Sequence, residues 1–571
     1  MRVSLPLGID IFEKLRTSGC YYVDKSGFIK ELLEETFEVN LITRPRRFGK
    51  TLAMSMLAEF FDIRKENRRL FDGLEIFEDK ALCELWMNQW PVLFISFKDV
   101  QGNTFEDAIG LLAFVISSLC VEHAYLEHSE KVDTADKSMF LRMKNRQCDE
   151  TDIKTALYVL MRMMSVHYGK NVILLVDEYD VPLAKATDYG YYDDMLNIIR
   201  SLLGMAWKTN PFLKFAVVTG CLRIAKESIF TGANNFISNS ISGQRYDRYF
   251  GFTETEIKNL LIKTGLLEHF QEIRQWYDGY LFGTQEIYCP WDVINHVSLL
   301  QMDSETKPAN YWRDTSHNSI IRKFIDKPEI NVNEKFELLL AGSTVQEHIV
   351  EDLTYDIANS TEENLWSILY LTGYLTRAMA DTPTQTLYTE ESKTVLRIPN
   401  EEVKSIFAET IAKWFADTVK VMDRKELFQA WWSGDDGKLT QMVTDILFDT
   451  ISYFDYKEDY YHAFMAGLFS GAGYEVLSNK EQGTGRADVI VKDRKNRRVI
   501  IIEAKHSKKE ADMKKDCIGA LKQIKLQQYF RTFLKGYKSI LCYGAAFFEK
   551  ECLILLEAGT AAVIEETPFN F

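Results

Sequence analysis

Across the first three hundred residues, short apolar runs alternate with stretches whose apolar residues recur every three or four positions. The runs are Val39–Thr43, 91–97 (PVLFISF), the first half of 171–182 (NVILLVDEYDVP) and 214–220 (KFAVVTG). Each has strand length and is continuously apolar, the pattern of a strand buried on both faces. Residues 52–62 and 105–122 have helical spacing, and the alternation predicts a parallel α/β sheet. The segment 250–291, dense in aromatics, predicts a small helical lid packed on that sheet. From 298 to 445, stretches such as EENLWSILYLTGYL keep the helical period and predict a helical middle region with a spacer or coupling role. Beyond 451, a helix (460–469) and a strand (474–477) precede two apolar runs, 487–491 and 499–504. These flank a turn containing Lys495-Asn496 and predict a β-hairpin. The chain divides accordingly into 1–300, 301–448 and 449–571.

The first chemistry lies at residues 41–51, LITRPRRFGKT, between a strand and a helix. Gly49-Lys50-Thr51 has the form of the end of a phosphate-binding loop (P-loop). There, helix N–H groups meet anionic oxygens, the lysine offsets phosphate charge and the threonine hydroxyl reaches Mg²⁺. Asp177 and Glu178 end an apolar strand, where Asp177 is expected in the Mg²⁺ shell and Glu178 is expected to orient or deprotonate the attacking water. Thr219, at the end of the next strand, is placed to sense a γ-phosphate. Arg223 on the following loop is either a phosphate contact or an ordinary surface arginine. A glycine is usual five residues before Gly49, and Arg44 stands there instead. Arg44, Arg46 and Arg47 offer guanidinium groups to bind phosphate directly, so ATP binding is expected and hydrolysis is left open.

The second chemistry lies in the hairpin. If its turn is centred between Lys495 and Asn496, residues whose numbers sum to 991 face one another, and Asp488 faces Glu503. Directly opposed side chains are about 4.5–5.5 Å apart at Cβ, close enough for both carboxylates to hold one hard cation such as Mg²⁺. Lys505 lies two residues beyond Glu503, on the same face. A cation with oxygen ligands beside a lysine suits phosphodiester hydrolysis. Carboxylates in runs that are apolar on both faces need a cation or a proton to offset desolvation.

Composition narrows the class. No run of about 18 uncharged apolar residues occurs, so no membrane span is expected. The first residues acquire acidic side chains before an apolar core forms, unlike a secretory signal, and the reading is cytoplasmic. Nine cysteines without a C-x-x-C pair point to reduced thiols and not to disulfides or zinc. The net charge is −15, yet residues 480–539 hold 17 Lys or Arg against seven Asp or Glu, a surplus of ten positive charges. The rest therefore carries −25, and an anionic polymer is expected at the basic C-terminal region alone.

GRADVIV, IIEAK and ALKQI resemble the D…E-x-K pattern of the PD-(D/E)XK nuclease superfamily over about 460–543. The resemblance implies a mixed α/β, restriction-endonuclease-like domain. It also implies Asp488 and Glu503 as metal ligands, Lys505 as catalytic lysine and Gln523 as an accessory glutamine. Glu458 or Asp459 would supply a first-helix acid, and Glu481 and Arg486, close in sequence, are candidates to contact metal or phosphate; Ala487 replaces the superfamily's proline. YYVDKSGFI, TRPRRFGKT, LLVDEYDVP, TGCLRIAKESIF, FGFTETEI and WYDGYLFG are similar to an AAA-ATPase-like family of bacterial proteins. The expected function is an ATP-binding, nucleotide-regulated Mg²⁺-dependent nuclease on DNA or RNA. The alternatives are a non-catalytic ATP switch that only binds nucleic acid, and a nucleic-acid motor. Whether the protein forms a homo-oligomer is left open.

Overall fold

The computed structural model describes residues 2–557 apart from 36, 225–228, 231–235, 313–332, 354–360, 379–392, 408–424, 451–457, 471, 483–484, 535 and 550. The chain divides into two compact units, Met1–Thr315 with Gln346–Val403, and Ser316–Val345 with Lys404–Phe571.

The first unit is built on a five-stranded parallel sheet. Its strands are β1 (Val39–Thr43), β2 (Val92–Ser96), β3 (Val172–Asp177), β4 (Leu213–Gly220) and β5 (Phe236–Asn239), in the order β2-β3-β4-β1-β5. β1 and β3 are wholly buried, as their unbroken apolar runs require. The helix after β1, α1 (Lys50–Phe61), packs against β3, and α2 (Glu150–Tyr168) packs against α3 (Tyr192–Trp207). The strand carrying the phosphate loop and the strand carrying Asp177 are separated by β4 alone.

The aromatic segment packs against the phosphate loop. Phe48 of the loop meets the rings of Tyr280 (5.0 Å) and Phe282 (5.1 Å) on a short hairpin, Tyr280–Phe282 with Gln285–Ile287. The middle stretch is less helical than its periodicity suggests. Glu362–Leu371 is a helix, but Thr376–Arg377 pairs antiparallel with Thr394–Arg397. This strand pair returns to the lid: Leu281 N donates to Thr376 Oγ1 (2.9 Å), and Asn400 Nδ2 donates to the Asp278 carbonyl (2.7 Å). These long-range bonds override a helical period carried by neighbouring residues.

The second unit holds a mixed sheet of β6 (Glu475–Gln482), β7 (Gly485–Asp493), β8 (Arg498–His506), β9 (Ser539–Phe548) and β10 (Glu551–Leu556), in that order. Only β8 and β9 run parallel. The hairpin register is the expected one: Val489 faces Ile502, Ile490 faces Ile501 and Val491 faces Ile500, each pair summing to 991. One face, including Val489, Val491, Ile500 and Ile502, packs with Trp431, Phe464 and Leu468 from helices. On the other face Ile490, Val499 and Ile501 meet Leu521 and Ile524 of α4 (Met513–Gln527), and Tyr529 and Phe533 beyond it. Two buried faces explain why these strands lack polar alternation.

Candidate functional site

Parallel pairing brings the C-terminal ends of β1, β3 and β4 to one sheet edge, where ligands of open α/β sheets bind. Gly49 adopts φ +82° just before α1, and no side chain caps that helix, so its first N–H groups remain for anionic oxygens. Lys50 is 4% exposed and donates to the carbonyls of Arg44 (3.0 Å) and Pro45 (2.9 Å), which folds its ammonium back over the loop. Cys221 Sγ lies 3.8 Å from the same nitrogen.

Asp177 is the hub. Its Oδ2 accepts from Thr51 Oγ1 (3.0 Å) and Ser96 Oγ (3.3 Å), and its Oδ1 accepts from Thr219 Oγ1 (2.6 Å). Glu178, with φ +52°, donates its N–H to Thr219 Oγ1 (3.4 Å). Burial pushes the Glu178 carboxyl up, Lys50 and Arg46 oppose this, and Asp177 and Asp180 add to it. Ser96 and Asp180 had no assigned role from sequence. Asp180 accepts from Cys221 N (2.9 Å) and Leu222 N (3.1 Å) and so fixes the turn after β4. Arg223 stands over the Phe236 ring at 5.6 Å.

The loop arginines diverge. Arg46 is near enough to act electrostatically on Glu178 and Cys221. Arg44 is fully buried beneath the loop, where its Nη1 donates to the carbonyls of Thr43 (2.8 Å) and Asn239 (2.7 Å). Its guanidinium lies over Phe250 (5.3 Å) and Phe282 (5.6 Å), and burial lowers its pKa to about 10. The expectation that Arg44 offers its charge to phosphate is thereby corrected: backbone carbonyls hold its Nη groups, and the aromatic rings of Phe250 and Phe282 lie against its guanidinium. Arg47 sits over Trp291 (4.7 Å), and its Nη1 donates to the Tyr311 carbonyl.

Tyr311 leads to a buried acid pair. Glu402 Oε1 accepts from Tyr311 N (2.5 Å) and Trp312 N (2.9 Å), and Glu402 and Asp292 are both wholly buried. Burial first, and then Asp292, drives the Glu402 carboxyl upward from its ordinary 4.5, so that it stays protonated at neutral pH. The unfolded chain loses that proton near pH 4.5 while the folded chain keeps it, so folding stability contributed here is lost as pH rises above that value. Glu402→Gln is therefore expected to raise the melting temperature at pH 8 and to flatten its fall between pH 6 and 9, measured by calorimetry. An unchanged slope would refute the protonated state of Glu402.

In the second unit Asp488 and Glu503 lie one step beyond the last register pair, Val489–Ile502, and are 7% and 1% exposed. Asp488 Oδ2 accepts from Ala504 N at 2.9 Å, so the carboxylate takes a donor on the neighbouring strand. Lys505 Nζ lies 3.1 Å from Glu503 Oε1. Their strand face is the one covered by α4, whose Gln523 Nε2 donates to Tyr529 Oη at 3.5 Å. The side chains of Glu458, Asp459, Glu481 and Arg486 lie outside the described residues. Gly544, opposite Glu503 on β9, allows the helix to approach: a Cβ there would stand 2.4 Å from the Cys517 carbonyl. Gly544→Ala is expected to push α4 from the sheet and destabilise the second unit by about 1–3 kcal/mol, read by denaturant unfolding.

Comparisons with known proteins match two separate parts of the chain. Residues 6–230 match the family model described as a predicted AAA-ATPase, and residues 456–557 match the PD-(D/E)XK nuclease superfamily. The chain joins an AAA-ATPase-like domain to a PD-(D/E)XK nuclease superfamily domain. An uncharacterized protein in the vnfD 5′ region of Azotobacter chroococcum mcd 1 is 27% identical over 502 residues, covering 86% of this chain and 87% of the relative.

The nuclease superfamily domain implies a divalent metal, and its donors fit one: Asp488 and Glu503 present oxygen only, the preference of a hard cation. Among the described residues no group of three or more His, Cys, Asp or Glu assembles. No helix among the described residues is long and apolar enough to cross a membrane.

Proposed function

We propose that this protein is a nucleotide-regulated, Mg²⁺-dependent nuclease that hydrolyses phosphodiester bonds of DNA or RNA. The observation that carries the reading is that buried Asp488 and Glu503 lie one step beyond the Val489–Ile502 pair, with Lys505 Nζ 3.1 Å from Glu503 Oε1. A divalent cation bound there supplies a more acidic water and offsets charge on the phosphate. Asp488 and Glu503 hold and orient that cation, with Asp488 braced by the Ala504 N–H. Lys505 carries a positive charge toward the scissile phosphate, and Gln523 adds a neutral donor. The exposed lysines of α4, Lys514, Lys515 and Lys522, favour a nucleic acid substrate beside the site.

In the first unit Lys50 and the open end of α1 bind nucleotide phosphates, while Thr51 and Asp177 fit the Mg²⁺ that accompanies them. Thr219 orients Asp177, and Arg46 lies near the same phosphates. Arg47 supports the regulatory half of the reading: it grips Tyr311, whose N–H is held by Glu402, and the chain leaves this unit after Val403. The test is cleavage of labelled DNA and RNA by the full chain with Mg²⁺, in the presence of ATP, ADP, a non-hydrolysable analogue or no nucleotide. Absence of cleavage on every substrate would sink the nuclease, and cleavage indifferent to nucleotide would sink the regulation.

A further inference from the structure

In the run Asp177-Glu178-Tyr179-Asp180 the first two residues face the nucleotide site and the last two hold the turn that follows β4. Glu178, at φ +52°, swings the chain off its strand, and Tyr179 enters the core with no exposed surface. Its ring lies against the backbone of Gly220, where a Cβ would stand 2.7 Å from Tyr179 Cε1. Its hydroxyl spans the turn, donating to the Leu222 carbonyl (2.8 Å) and accepting from Ile224 N (2.9 Å). Phenylalanine would fill the same space but leave a buried carbonyl and a buried N–H without this partner. The turn is joined in its own right to a distant part of the chain. Arg223 and Ile224 pair parallel with Asp352 and Leu353. Ser240 Oγ, just after β5, donates to Glu351 Oε1 (2.8 Å) and fixes the same stretch beside the sheet. These residues belong to Gln346–Val403, a segment of the first unit whose chain continues into the second unit at both ends.

Thr219 immediately precedes the turn and holds Asp177 Oδ1 at 2.6 Å, so a hydrogen-bonded path runs from Asp177 through the turn to Asp352–Leu353, and Tyr179 ties its middle. Resting on the nucleotide-binding reading, we infer that Tyr179 is a positioning residue of the nucleotide site. Its hydroxyl makes the turn after β4 move as one piece with the Asp177–Glu178 end of β3, so that the Asp352–Leu353 strand is ordered when nucleotide is bound. Without the hydroxyl the turn shifts independently of β3, and the strand no longer responds to the nucleotide.

The test is Tyr179→Phe in the full chain. Tyr191→Phe is the control, since Tyr191 also gives its hydroxyl to a backbone carbonyl of the first unit, that of Gly102 at 2.6 Å. ATP affinity with Mg²⁺ is read with a fluorescent analogue, and amide hydrogen exchange is followed in peptides spanning Glu351–Leu353. In the native chain ATP is expected to slow exchange there by about tenfold, within the usual range of coupling between sites. Tyr179→Phe is expected to bind ATP as the native chain does and to lose that slowing, while Tyr191→Phe keeps it. Slowing retained in Tyr179→Phe, or lost equally in Tyr191→Phe, would overturn the inference and leave the nucleotide reading intact. A native chain that binds ATP without change at Glu351–Leu353 would do the same. Loss of ATP binding in Tyr179→Phe would assign the hydroxyl to the integrity of the site and overturn the coupling too. If the native chain binds no ATP, the inference falls together with the reading beneath it.

Discussion

Lys505→Ala is expected to lower kcat for nucleic acid cleavage by about 10²–10³-fold, the range for removing one preorganised charge from a transition state. Metal affinity should be retained or improved, because the substitution removes a cation 3.1 Å from Glu503 Oε1 and leaves both carboxylates in place. Glu503→Gln should do the reverse and weaken metal binding directly, because a neutral amide replaces a ligand that is 1% exposed on the sheet face. The pair of variants separates chemistry from metal capture. Single-turnover cleavage across a Mg²⁺ series, with calorimetric Mn²⁺ titration alongside, gives both readouts. Equal cleavage by wild type and Lys505→Ala would remove Lys505 from the chemistry.

Lys50→Ala is expected to weaken ATP binding by at least about a hundredfold, close to 3 kcal/mol. The ammonium is already desolvated at 4% exposure and held by two loop carbonyls, so it is positioned before any phosphate arrives. Positioning in advance lowers the ordering cost of binding, and alanine removes the charge that benefits from it. The same variant should abolish any response of cleavage to nucleotide while leaving nucleotide-free cleavage at the wild-type rate. Titration with a fluorescent ATP analogue measures the first effect, and cleavage with and without ATP measures the second. Wild-type affinity in Lys50→Ala would mean that the loop does not bind phosphate through this lysine.

The strands around both sites were legible because their signals are local. β1 and β3 are unbroken apolar runs ending in chemistry-bearing residues, and the β7–β8 register follows from a turn between two such runs. The middle region was harder to read. Its strand pair Thr376–Arg377 and Thr394–Arg397 is stabilised by the distant lid at Leu281 and Asp278, and no local period announces such partners.

The amino-acid sequence by itself determined which residues could carry phosphate and metal chemistry, since Gly49-Lys50-Thr51, Asp177-Glu178 and Asp488, Glu503 and Lys505 sit at ends or registers set by short-range pattern. Only the tertiary structure decided what the loop arginines do. Arg44 is drawn into carbonyls and rings some two hundred residues away, and Arg47 is drawn to Trp291 and Tyr311. It also decided that Glu402 is buried on the Tyr311 and Trp312 N–H groups and that Asp292 is buried with it. The physical reason is the same in each case. A side chain's direction is set by whichever desolvated partners close around it, and those partners come from parts of the chain that no local pattern connects.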